Sequence, residues 1–284
     1  MEKNAFHLHL ISDATGETLN SVAKATCVQF DNIEPIEHSY ALVRSRRQLD
    51  RVLRKVEQDP GIVMFTLMSR ELRELLEEKC RELGVPCVPV LDPVLNVFRT
   101  YLKTELTHRV SGQHELDAAY FNRIEALNFT MAHDDGQLPT DVNTADVILV
   151  GVSRTSKTPT CIYLANRGIK AANIPFVPNI PFPDDLIKAK KPLVVGLTAS
   201  PDHLIQIRRN RLRALKHRSQ TDYVDLDKVR AETQEARRLF MKHGWPIIDV
   251  SRRSIEETAA AIMNLLSARE QTADRPELIQ RSGE

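Results

Sequence analysis

The sequence predicts an α/β fold in two domains, an N-terminal α/β domain followed by a phosphate-loop domain built on a mainly parallel sheet. Three observations lead there. Short apolar runs alternate with amphipathic segments through the first half of the chain, the order expected of strand–helix–strand units. The segment DVILVGVSRTSKTP at 146–159 sends an apolar, β-branched run straight into a phosphate-loop pattern. At 284 residues the chain exceeds the usual size of one hydrophobic core.

Taken in order, residues 6–11 read as a strand and 17–30 as a helix, and 62–67 as the next strand. Ser69 then stands as N-cap of a helix that aligns Leu72, Leu75 and Leu76 on one face and ends near Gly84. Residues 85–91 return as a strand. Asp92 can cap a following helix with Pro93 at its first position, and Val94, Leu95, Phe98 and Leu102 form its expected buried face. From 107 to 141 the β-branched runs thin out and polar residues gather, which marks a domain boundary. The expected division is an N-terminal domain at 1–105, a connecting segment at 106–143, a nucleotide-binding domain at 144–270 and a polar tail at 271–284. In the second half, a strand over 147–150 opens the strand and loop at 146–158, and further strands fall at 174–177, 193–197 and 246–250 with helices between them. Residues 254–266 are strongly amphipathic, with Ser254 and Glu257 in capping-box positions and Ile255, Ala259, Ile262 and Leu266 on the buried side.

A phosphate loop needs Gly, four residues, Gly, Lys and Ser or Thr. Gly151, Lys157 and Thr158 keep that spacing, and Ser156 replaces the second Gly. In this reading the main chain from Gly151 through Val152, Ser153, Arg154, Thr155, Ser156, Lys157 and Thr158 cradles phosphate oxygens. Lys157, on an exposed loop, neutralises terminal phosphate charge, and the Thr158 hydroxyl is the candidate ligand for Mg²⁺. A helix over 160–166 presents its N-terminus to the phosphate, with Pro159 tolerated in the first turn. Ser156 is expected to crowd the close backbone approach that Gly allows. Arg154 is placed to engage a phosphate or the acceptor.

Outside the loop, His133, Asp134 and Asp135 offer an imidazole and two carboxylates, with Asp135 the candidate to position an acceptor hydroxyl. A solvated turn before Gly136 explains the same residues. Ser12, Asp13, Thr15, Gly16 and Thr18 follow the first strand, where α/β proteins bind ligands, although a plain turn and helix cap account for them too. The basic run Arg208, Arg209, Arg211, Arg213, Lys216 and Arg218 reads as a solvated helix face that could also meet transferring phosphate. His7, His9, His108 and His114 lack metal-ligand spacing, and no structural zinc is expected.

Composition narrows the partners. The 39 basic and 38 acidic residues nearly cancel, which argues against nucleic acid, whose binding rests on phosphate neutralisation. Four cysteines without CxxC spacing read as free thiols. No apolar run is long enough to cross a membrane, and a cytoplasmic protein is expected. A homodimer is left open.

Four segments, ISDATGET at 11–18, HELDAAYFNRIEALNFTMAHDDG at 114–136, GVSRTSKTPT at 151–160 and IKAANIPFVP at 169–178, resemble the bifunctional regulatory proteins of pyruvate, phosphate dikinase and phosphoenolpyruvate synthase. The resemblance implies that the second domain is a P-loop kinase-like domain. It implies that ADP donates its β-phosphate to a threonine of the target dikinase, or of the synthase, and that inorganic phosphate later removes that group as pyrophosphate. The family's ADP site matches Gly151 to Thr158, and Mg²⁺ is the implied ion. Two other classes fit the residues alone: a nucleotide-gated binding module and a small-molecule kinase.

Overall fold

The computed structural model describes residues 3–107, 110, 118–134, 142–214 and 222–273, and the chain divides into two compact units, 1–115 and 116–284. The first unit is a four-stranded sheet of β1 (Asn4–Ser12), β2 (Ile33–Tyr40), β3 (Gly61–Thr66) and β4 (Cys87–Pro89), ordered β2-β1-β3-β4 with every pairing parallel. Helices α1 (Glu17–Cys27), α2 (Arg46–Gln58) and α3 (Arg70–Glu82) make the crossovers, and α4 (Asp92–Leu102) follows β4. Alternate residues of the central strands feed two apolar clusters. Val63 and Phe65 pack with Leu49, Val52, Val56 and Leu76, whereas Leu8, Leu10 and Met64 pack with Leu19 and Ala23.

Two elements of this unit escaped the sequence reading. In β2, IEPIEHSY carries Pro35 and two glutamates and lies at the sheet's edge, where a missing N–H and charged side chains are tolerated. In α2, charges outnumber apolar residues, yet Leu49, Val52, Leu53 and Val56 fall at helical spacing and are all buried. Helix α4 shows the opposite discrepancy. Its expected buried face is open, with Val94, Phe98 and Leu102 each more than half exposed and no residue of the helix buried. Periodicity identifies an apolar stripe without saying what covers it.

The second unit repeats the strand order. Strands β5 (Val147–Gly151), β6 (Ala171–Pro175), β7 (Leu193–Thr198) and β8 (Ile247–Asp249) run β6-β5-β7-β8, again all parallel. All five residues of β5 are buried, as expected of a strand covered on both faces. Among the described residues this unit carries six helices: α5 (Ala118–Ala132), α6 (Lys157–Ala165), α7 (Asp184–Lys188), α8 (Pro201–Ala214), α9 (Leu226–Lys242) and α10 (Ile255–Ala273). Helix α5 lies within the segment 106–143 that was read as a connector, and it packs against α6 and β6. The capping box of α10 is made in both directions, Glu257 N–H donating to Ser254 Oγ at 3.1 Å and Ser254 N–H to a Glu257 carboxylate oxygen at 2.9 Å. That helix continues to Ala273, and 274–284 lie outside the described residues.

Strands β1 and β2 place His7, His9, His38 and Tyr40 in one stack, with His9 and His38 ring centroids 4.7 Å apart. His9 is fully buried, and its Nε2 lies 2.8 Å from the Asp59 carbonyl as donor. Burial, and to a lesser extent the neighbouring His38 and His7, lower its pKa, while the bond to Asp59 opposes them. The folded state therefore holds His9 neutral, and below its ordinary value of 6.5 the unfolded chain binds a proton that the folded chain refuses. Stability is present above that pH and lost on acidification. Thermal unfolding at pH 7.5 and 5.5 should show a drop that is smaller in His9→Gln; an equal drop in both proteins would contradict this assignment.

Candidate phosphate site

Strand β5 ends at Gly151 between β6 and β7, at a position with no room for a side chain. A Cβ on Gly151 would lie 2.5 Å from the Leu197 carbonyl oxygen and 2.9 Å from Thr155 Oγ1, so the first glycine of the pattern is required by close approach. The crossover from β5 leads to β6 on one side, while β7 flanks the other, which makes this carboxyl end the point where strand order reverses.

Two residues of the loop adopt left-handed backbone, Arg154 with φ 75° and Ser156 with φ 58°. Left-handed Ser156 followed by helical Lys157 is the alternation that turns successive N–H groups into one concavity. Ser156 is thus unfavourable for a conformational reason, at a cost of about 1–2 kcal/mol. Helix α6 opens at Lys157, not at 160, so the N–H groups of Lys157 and Thr158 precede the first intrahelical donor, which is Thr160 bonding to Ser156 O. First-turn helix N–H groups of the kind that can receive an anion and the dipole's positive end coincide at this point.

Lys157, expected on an exposed loop, is buried, and its Nζ donates to the Val152 carbonyl at 3.0 Å. Thr155 Oγ1 donates to the same carbonyl at 3.0 Å. The ammonium is folded into the loop because the short helix-to-loop span brings the side chain back over its own cradle. Thr158 faces sideways. Its Oγ1 donates to Asp134 Oδ1 at 2.9 Å, and Asn173 Nδ2 donates to the same carboxylate oxygen at 2.6 Å and to Thr158 Oγ1 at 2.9 Å. Asp134 Oδ2 accepts no hydrogen bond among the described residues.

Helix α5 delivers that carboxylate. The Thr130 hydroxyl donates to Ala171 O at 2.8 Å and Asn173 N–H donates to His133 O at 3.0 Å, so the end of α5 satisfies backbone groups of the edge strand β6. His133 stacks on Phe129 at 3.8 Å, with Nδ1 donating to Phe129 O at 2.7 Å. Asp134 reaches the loop; Asp135 and Gly136 lie outside the described residues.

Arg154 is exposed, with Nε donating to Tyr223 Oη at 3.2 Å, and the same phenol lies 3.1 Å from Ser153 Oγ. Val152 is buried beneath the loop. The basic run divides sharply. Arg209, Arg211 and Arg213 are exposed, Lys216 and Arg218 lie outside the described residues, and Arg208, expected on a solvated face, is buried and paired with Glu232. The sequence offers no local signal for that, since Glu232 lies 24 residues further on.

The polar loop after β1 is built into its own unit. Ser12 Oγ accepts from Ala14 N–H and Thr66 Oγ1, Asp13 Oδ2 accepts from Met68 N–H at 2.7 Å, and Gly16 takes left-handed backbone before α1. These bonds support the turn-and-cap reading of Ser12, Asp13 and Gly16, while Thr15 and Thr18 are exposed. Burial pushes the Asp13 carboxyl upward. All four cysteines are free, and burial pushes the Cys161 thiol, on α6, well above the usual thiol range. His108 and His114 lie outside the described residues, and among those described no cluster of three or more His, Cys, Asp or Glu is arranged to hold a metal ion. No described helix is long and apolar enough to cross a membrane.

A sequence model of the kinase/pyrophosphorylase family matches residues 8–263. The chain belongs to that family. It is 59% identical over 262 residues to a protein of Caulobacter vibrioides, covering 92% of this chain and 83% of that one. It is also 56% identical over 260 residues to one from Chelativorans, covering 92% and 96% of the two chains, and 56% identical over 264 residues to one from Rhizobium meliloti, covering 93% and 97%. All three carry the name "Putative pyruvate, phosphate dikinase regulatory protein". The family resemblance read from the four segments is thereby established.

Loop geometry sets the outcome of two substitutions. Ser156→Gly releases the left-handed strain but adds freedom to the unfolded chain, so stability should move by less than about 1 kcal/mol and any affinity of the loop for ADP should persist. Gly151→Ala must displace the Leu197 carbonyl or the loop, so both thermal stability and ADP affinity should fall. Thermal melts with calorimetric ADP titration check both; a large loss of affinity in Ser156→Gly would instead make the hydroxyl a ligand.

Proposed function

We propose that this chain is a cytoplasmic regulator of pyruvate, phosphate dikinase that works in both directions: an ADP-dependent serine/threonine kinase that inactivates the target and a phosphate-dependent pyrophosphorylase that restores it. The observation that carries the reading is the cradle from Gly151 to Thr158, with the Lys157 ammonium inside it and the Asp134–Thr158–Asn173 cluster at its side. Family membership and the names of the relatives support the target.

In the forward reaction the target threonine oxygen attacks the β-phosphorus of ADP. The bond to the bridging oxygen breaks, and AMP leaves. The threonine proton passes to a carboxylate, a role for Asp134 through Oδ2 or for Asp135 beside it. In the reverse task an oxygen of inorganic phosphate attacks the phosphothreonine phosphorus, pyrophosphate forms and the threonine oxygen recovers a proton. Both steps move a phosphoryl group between a threonine oxygen and a phosphate oxygen, so one set of donors serves both. Lys157, the N–H groups at the opening of α6 and Arg154 stabilise the charge on the group in transit. Thr158 Oγ1 and Asp134 are adjacent hard oxygen donors of the kind Mg²⁺ prefers, and they would hold the ion beside the phosphates. When bound, Mg²⁺ neutralises phosphate charge and fixes the geometry of the phosphoryl oxygens.

Lys157→Ala should lower label transfer from ADP by about a hundredfold or more, because a preorganised donor aimed at developing charge is lost. Thr158→Ala should be milder, since Asp134 and Asn173 remain. Arg154→Ala and Asp134→Asn should depress phosphorylation and pyrophosphate release together. Assaying both activities on the same variants decides the matter: loss of one with the other intact would mean two separate sites.

A further inference from the structure

Arg208 is among the largest fully buried side chains of the protein, although it stands in the most basic stretch of the sequence. Its guanidinium is used on every accessible side. Nη1 and Nη2 meet the two carboxylate oxygens of Glu232 at 2.9 and 3.1 Å in a bidentate pair, with the two side chains 2% and 14% exposed. Nη1 also donates to Tyr223 O at 3.2 Å and Nη2 to Ser153 O at 3.1 Å, while the Tyr223 ring lies 4.6 Å from the guanidinium carbon. Only Nε lacks an acceptor among the described residues. A buried, unsatisfied donor is a cost that a helix-face arginine could escape by turning to solvent. It stays because its other four bonds tie α8, the 3₁₀ turn Asp222–Val224 and α9 to a single peptide of the phosphate loop.

We propose that Arg208, held by Glu232 and Tyr223, is a positioning residue for phosphoryl transfer: it fixes the Ser153–Arg154 peptide and, through the Tyr223 hydroxyl, the Arg154 side chain. The inference rests on the phosphate-loop reading of the preceding section. The peptide is trans, so C=O and N–H point in opposite directions. Drawing the Ser153 carbonyl toward buried Arg208 turns the Arg154 N–H outward, toward the open side of the loop where Arg154 itself is exposed. The same clamp seats the Tyr223 phenol against Ser153 Oγ and Arg154 Nε, which restrains both side chains at left-handed Arg154. Arg208 thus sets two donors without touching the phosphate.

Two variants separate positioning from mere packing. Tyr223→Phe keeps the ring over Arg208 and removes only the hydroxyl; Arg208→Lys keeps the charge beside Glu232 but cannot span the carboxylate and two carbonyls at once. Calorimetric ADP titration, thermal melts and steady-state label transfer with the dikinase are measured on each. For Tyr223→Phe the melting temperature should hold, ADP affinity should fall about tenfold from the lost bonds to Ser153 and Arg154, and the KM for the dikinase should not change. Arg208→Lys should lose more affinity, with kcat falling as well. If Arg208→Lys does not fold, Tyr223→Phe decides alone. Unaltered ADP affinity and kcat in a folded Tyr223→Phe would overturn the proposal, and tighter binding would also overturn it by making the phenol an obstacle. Failure of the wild-type protein to bind ADP would remove the functional reading and this inference with it, whereas wild-type binding with an unaltered variant removes the inference alone.

Discussion

The close approach of Gly151 to the Leu197 carbonyl governs the arrangement around it. Because β5 is buried along its whole length and flanked by parallel neighbours, its last residue has no space for a side chain, and only glycine fits where the chain passes into the loop. The loop that follows is then short, turned through left-handed residues at 154 and 156, and delivered to the first turn of α6. Lys157 and Thr158 inherit their directions from that constraint. One points back over the cradle toward Val152, and the other points sideways to Asp134.

Around the loop, neighbouring elements contribute one group each at the cost of their own freedom. Helix α5 supplies Asp134 only because its end is fastened to β6 by Thr130 and the His133 carbonyl. Strand β6 supplies Asn173, whose amide orients the carboxylate oxygen that Thr158 also uses. Helix α8 supplies Arg208, which reaches under the loop. A site assembled this way has its donors held by hydrogen bonds to neighbouring elements, the preorganisation that the proposed phosphoryl transfer requires.

What could be read from the sequence follows the range of the interactions involved. The phosphate loop, the strand before it and the capping box of α10 are local patterns, and Gly151, Lys157, Thr158, Ser254 and Glu257 display them within a few residues. Strand β2 was hidden because an edge strand tolerates Pro35 and charge, and α2 because its basic surface masked the spacing of Leu49, Val52 and Val56. Arg208 reads as solvated because its partner Glu232 is distant in sequence, and the contacts of Asp134 with Thr158 and Asn173 lie equally beyond the reach of a local pattern. Charge density along a helix reports composition, while burial depends on where the opposing carboxylate arrives.

The central claim is that the cradle at Gly151 to Thr158 takes ADP as phosphoryl donor for a dikinase threonine. Incubating the protein with purified pyruvate, phosphate dikinase and ADP labelled in its β-phosphate, followed by peptide mapping, tests it most directly. The account predicts label on a dikinase threonine, AMP as the other product, and transfer lowered by about a hundredfold or more in Lys157→Ala. Label transferred equally well by Lys157→Ala, or appearing only when ATP labelled in its γ-phosphate replaces ADP, would contradict it.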